Sequence, residues 1–134
     1  MKRKNRTPSP AKFFLILFLF LFSSFVFFCW RLCTPPRFTQ QAIEEAPHTS
    51  IELILEDPNL FVGELVNAEA TLQDQLDFYL FGIYMLGIST KRGRFEILVF
   101  TATIPTEPIG TRISRPFVVE VLGGKPVLRE AKPL

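Results

Sequence analysis

His48 is the only histidine in the chain, and it follows Pro47 in a proline-containing polar stretch. A lone imidazole there supplies neither a Ser-His-acid triad nor a multi-histidine metal site. Carboxylates occur as neighbours: Glu44 with Glu45, Glu56 with Asp57, Asp74 with Asp77. General acid–base work needs two carboxylates facing one cleft, and these fall in linker, helix end and loop. Glu56, Asp57 and Asn59 offer too few oxygens to hold calcium without help. Gly123-Gly124-Lys125 runs into Pro126 rather than into a helix start, so it reads as a turn and not as a phosphate loop. The only cysteines, Cys29 and Cys33, lie at the end of an apolar run, which leaves the rest of the chain without a disulfide or a thiolate metal site. Spaced i, i+4, they share one helix face, where they read as small apolar side chains. These residue types predict a protein that is not an enzyme and holds no metal or cofactor.

What remains is aromatic and basic. Phe78, Tyr79, Phe81 and Tyr84 precede Lys91, Arg92 and Arg94, and Arg112 and Arg115 follow. Aromatics beside cations are how single-stranded nucleic acid is held. Against that, the chain from Phe38 onward carries 13 acidic and 8 basic residues, about −5 in charge. Such a domain repels phosphate, which argues against nucleic acid as a partner. Two binding chemistries are left. Tyr79, Phe81 and Tyr84 are the candidate contact residues for a protein partner or a second copy of the chain. Lys91, Arg92, Arg94, Arg112 and Arg115 are the candidates for a small ligand or polyanion.

The elements that must carry these residues begin with "FFLILFLFLFSSFVFFCW" at positions 13–30, where all but Ser23 and Ser24 are apolar. As a helix it is ~27 Å long, close to the roughly 30 Å of a bilayer core. No pair of small residues stands at cleavage-site spacing after it, so it reads as a retained signal anchor over 13–33. Lys2, Arg3, Lys4, Arg6 and Lys12 precede it, against Arg31 and Arg37 after it. That bias predicts a cytoplasmic basic tail at 1–12 and a domain beyond the membrane. In a bacterial cell this is an inner-membrane protein, single-pass, with a periplasmic domain. Trp30 suits the interface.

Three prolines mark 34–48 as a linker, with "QQAIEEA" able to form a helical turn. "TSIELILEDP" predicts a short helix over about 50–56, with Thr49 and Glu52 at capping-box spacing and Pro58 ending it, against a rival strand from the alternation of Ile51, Leu53 and Leu55. From Leu60 the period is that of strands. "LFVGELVNAEAT" is the first, "LQDQLD" a polar connection, and "FYLFGIYMLGI" at 78–88 a second strand with both faces covered. "RFEILVFTATI" follows the "STKRGR" turn, and "RISRPFVVEVL" is a strand interrupted at Pro116. "PVLREA" closes the set after "GGK". Five short antiparallel strands and one short helix over 49–134 predict a mainly β fold, a small closed barrel.

The order of these features resembles the OB-fold domains of small membrane-anchored or exported bacterial proteins. The resemblance covers about Thr49 to Ala131. It rests on the short helix ending near proline, Phe61 and Gly63 in "LFVGELV", the "FYLFGIYML" strand, the "ILVFT" strand and the "IPTEPIGT" loop. Ala68 and Ala70, where such domains often carry glycine, and the Arg115-Pro116-Phe117 interruption depart from it. With the apolar faces of the 78–88 stretch, the expectation is a non-enzymatic, membrane-anchored envelope protein whose barrel docks a protein partner. A ligand- or polyanion-binding module is the alternative.

Overall fold

The structure, a computed structural model, describes residues 10–134. It divides into two compact units, one ending at Arg31 and one running from Leu32 to Leu134. Helix α1 (Pro10–Cys33) has 24 residues, and its stretch Pro10–Arg31, in the first unit, is long and apolar enough to cross a membrane.

The second unit begins with β1 (Arg37–Phe38), α2 (Gln40–Glu45) and α3 (Ile51–Glu56). The Thr39 side chain caps α2, and Ser50 caps α3 by accepting from Leu53 N. The α3 cap is therefore Ser50 and not its neighbour Thr49. A 3-10 turn at Pro58–Leu60 follows. Then come β2 (Leu65–Asp77), β3 (Gly82–Thr90), β4 (Gly93–Thr101), β5 (Arg112–Leu122), β6 (Lys125–Glu130) and β7 (Lys132–Pro133).

Strands β2-β3-β4-β6-β5 close into a barrel. Every pairing is antiparallel except β4 with β6, which is parallel from Leu98↔Val127 to Phe100↔Arg129. The expected fold class, a small five-stranded barrel with a helix, is borne out. Period-2 alternation turns Val66, Ala68, Ala70 and Leu72 of β2 inward, against Leu86, Val99, Phe117 and Leu128. Ile51 and Ile54 of α3 join that core and close the barrel at one end.

Three sequence expectations are corrected. "LQDQLD" is not a connection: β2 runs through it to Asp77, because a register shift between Leu72 and Asp74 lets the strand bend and continue. Residues 78–81 do not belong to the second strand, which starts at Gly82. A side chain at Gly82 would collide with Ile104, so the strand begins where the loop over it leaves room only for glycine. Pro116 does not interrupt β5. Its carbonyl accepts from Ala131 N at 3.0 Å, so the missing N–H faces the side where pairing with β6 stops, at Phe117↔Glu130.

The stretch 34–48, marked as a linker by its prolines, is tied to the barrel. Asn67 Nδ2 donates to the carbonyls of Ile43 and Ala46 at 2.8 and 3.1 Å. Arg129 donates to the Thr34 carbonyl, and β1 pairs in parallel with β7. Gly123 and Gly124, at φ 59° and 81°, make the two-residue hairpin between β5 and β6.

Phe117 is fully buried and Val121 is 42% exposed. Chemical denaturation of the full chain in detergent will show Phe117→Ala costing about 3–5 kcal/mol. Val121→Ala will stay within about 0.5 kcal/mol.

Candidate functional site

Opposite α3, the barrel interior turns polar. Glu130 of β6 is 3% exposed and accepts from Tyr84 Oη at 3.1 Å and Thr101 Oγ1 at 2.8 Å. Arg115 Nη1 and Lys132 Nζ donate to its other oxygen at 3.0 and 3.2 Å. Arg115 Nη2 reaches both oxygens of Glu107, in the β4–β5 loop, at 2.6 Å. Tyr84 and Arg115, expected at a binding surface, are thus internal ties. That corrects the placement of Tyr84 on a docking face: its strand partner positions put it on the same side as Leu86, inside. Burial, then the charge and hydrogen bond of Glu130, push the Tyr84 phenol far above its ordinary value. Burial works against the Arg115 charge, but the hydrogen bond and charge of Glu130, with Glu107, outweigh it and hold the guanidinium charged.

The other predicted cations are spread over the domain and not gathered. Arg112 pairs with Glu69 across β5 and β2 at 2.8 Å. Arg92 lies 3.6 Å from Glu52 on α3, and Arg94 lies 3.3 Å from Glu96. Lys91 stands exposed in the β3–β4 hairpin.

Tyr79 and Phe81 meet in a different feature, the loop that joins β2 to β3. Asp77 Oδ1 accepts from Tyr79 N at 2.8 Å, Phe78 N donates to Phe81 O, and the Phe78 and Phe81 rings stack with centroids 5.1 Å apart. This tight turn forces Tyr79 to φ 75°, the one positive φ at a non-glycine among the described residues. Its side chain is 93% exposed, between Phe78 at 49% and Leu80 at 63%. Sequence pattern missed the loop because an uncharged aromatic run reads as strand. The signal that could have found it is Asp77, a side chain able to bond the backbone two residues on.

Beside the loop, the outer face of β2, β3 and β4 forms a groove of about 370 Å³. Leu76, Ile83, Met85 and Leu98 give it an apolar wall, and Asp74, Arg94 and Glu96 are charged members of its lining. Gln73, at the register shift, lies over Gly87, and a Cβ there would displace its amide. Its amide bridges Glu96 Oε1 at 2.7 Å and Arg94 Nη2 at 3.0 Å, oriented to satisfy both. Among the described residues no cluster of His, Cys, Asp or Glu could hold a metal ion.

No family model matches the chain, and no curated protein matches it. Solved structures do. A protein described as an aspartyl-tRNA synthetase from Leishmania major Friedlin matches 71% of this chain at TM-score 0.52 and 10% identity. The chain spans only 21% of that protein's length, and the likeness is one of fold. The OB domain of a Thermoplasma acidophilum protein matches 65% of this chain and 81% of its own, at TM-score 0.38 and 13% identity. By its closed five-strand order the domain is an OB-like barrel.

A murine DNA binding protein, solved with double-stranded DNA, is also similar: 26% identity over 60% of this chain and 42% of its own, at TM-score 0.42. With a DNA-binding protein among the structural neighbours, the expectation that nucleic acid is no partner is withdrawn, since it rested on net charge alone. The charge of the whole domain averages over faces, and partners meet one face.

Two outcomes follow from this geometry. Tyr79→Gly removes the cost of a left-handed tyrosine and raises folding stability by about 1 kcal/mol, measured by thermal or denaturant unfolding of the full chain. Tyr84 keeps its proton in the folded state while an unfolded tyrosine loses one near pH ~10. The unfolded state then binds fewer protons, so stability is flat below that pH and falls as pH rises above it. Denaturation at a series of alkaline pH values will show this slope in the wild type and a shallower one in Tyr84→Phe.

Proposed function

We propose that this chain is a non-enzymatic, single-pass membrane-anchored protein whose OB-like domain docks a protein partner through the Asp77–Phe81 loop and the groove beside it. The loop carries the reading. Phe78, Tyr79 and Leu80 stand exposed together with Leu76, itself 56% exposed. Contiguous apolar side chains left in water by a small domain mark a contact surface, and tyrosine is among the residues that dominate interface energy. The backbone adds support: a strained φ persists where the surroundings hold it, and such sites cluster where function is.

The anchor reading rests on α1, which is apolar on every side over 18 or more residues where a helix of a soluble domain carries an apolar stripe. The basic residues before it favour a cytoplasmic amino end, with the domain across the membrane; in a bacterium that is the periplasmic side of the inner membrane. The alternative, a ligand or polyanion site built from arginines, is less well supported. Arg92, Arg94, Arg112 and Arg115 each pair with a carboxylate of the domain itself.

The test compares copurification from detergent-solubilised host membranes by the full chain and by Phe78→Ser, Tyr79→Ser and Leu80→Ser variants. Each of the first two changes will cut recovery of a specific protein by roughly tenfold or more, with native circular dichroism. Recovery that ignores all three changes counts against the loop.

A further inference from the structure

We infer that the groove on the outer face of β2, β3 and β4 seats a basic side chain from an apolar segment of the partner protein, with the loop as the apolar half of the same site. This rests on the protein-docking reading above and adds the chemistry of the docked segment.

The two halves are continuous through Leu76, which lines the groove and directly precedes the Asp77–Phe81 loop. About 370 Å³ is at the small end of the roughly 300–1,000 Å³ of ligand pockets, a size suited to a side chain or two. Its wall of Leu76, Ile83, Met85 and Leu98 suits the methylene stem of lysine or arginine.

Charge selects the head group. Arg94, the one cation of the lining, is already held by Glu96 and by the Gln73 amide. Asp74 and Asp77 are exposed. Each spends an oxygen on a nearby backbone N–H, of Gln75 and Tyr79 respectively. Neither has a cation partner among the described residues. The groove and the loop mouth thus carry uncompensated negative charge around an apolar floor. A segment bringing lysine or arginine next to aliphatic or aromatic residues answers both features, while an acidic segment meets like charge.

Full-length protein in lipid nanodiscs is panned against a displayed library of random linear peptides, in parallel with Asp74→Lys and Tyr79→Ser. Asp74 is a surface position, and all forms are first checked for native circular dichroism. On the wild type, peptides with lysine or arginine beside apolar residues will be enriched several-fold. Asp74→Lys will shift the enriched charge from basic to acidic with the apolar content kept, and Tyr79→Ser will lose enrichment. Apolar peptides with no basic bias, or a bias that Asp74→Lys leaves unaltered, overturn the groove assignment and leave loop docking standing. No enrichment on any form, or enrichment indifferent to Tyr79→Ser, overturns both. A fluorescent DNA duplex bound by the wild type and released by Tyr79→Ser, without peptide enrichment, also overturns the assignment and gives the surface to nucleic acid.

Discussion

Glu130 is a carboxylate closed inside a barrel, and much of the domain's arrangement answers it. A buried charge is tolerated where it is paired and its lone pairs are met. Here four strands or loops contribute: Tyr84 from β3, Thr101 from β4, Arg115 from β5, and Lys132 just past β6. Arg115 then carries the tie outward to Glu107, fastening the long β4–β5 loop across that end. α3 closes the other end with Ile51 and Ile54. The barrel is thus sealed by grease at one end and by a salt-bridged network at the other. With the interior so committed, Tyr84 and Arg115 serve the fold, and the proposed contact surface lies outside the barrel, on the outer face of β2–β4 and the Asp77–Phe81 loop.

The same partition explains the groove. Gln73 takes the extra position where β2 slips register against β3, and Gly87 is the residue that lets its side chain lie flat on the sheet. The bend carries β2 onward to Asp77, whose carboxylate folds the next residues into a turn. One irregularity in one strand therefore sets both the concavity and the position of the exposed aromatics.

Much of this was legible in the sequence. Alternation in "NAEAT" and "EILVFT", the glycine turns and the Pro58 stop mark the elements, because period and turn chemistry are local. What was hidden depends on contacts distant in sequence. Glu130 looks like a surface charge until Arg115 and Tyr84 arrive from other strands. Pro116 looks like a break until the end of the β6 ladder is known. Phe78 to Phe81 have strand composition, and only the Asp77 hydrogen bond and the packing of Ile104 against Gly82 make them a loop. Pooling charge over the domain likewise concealed that the arginines are consumed in pairs and that Asp74 and Asp77 are not.

The central claim is that the exposed aromatic loop is a protein contact in the living cell. Photo-cross-linking from a reactive side chain placed at position 79, with position 125 at the far end of the barrel as control, tests it most directly. The account predicts a discrete protein adduct from 79 and none from 125. Equal labelling from both positions, or adducts from 79 to lipid or nucleic acid alone, would contradict it.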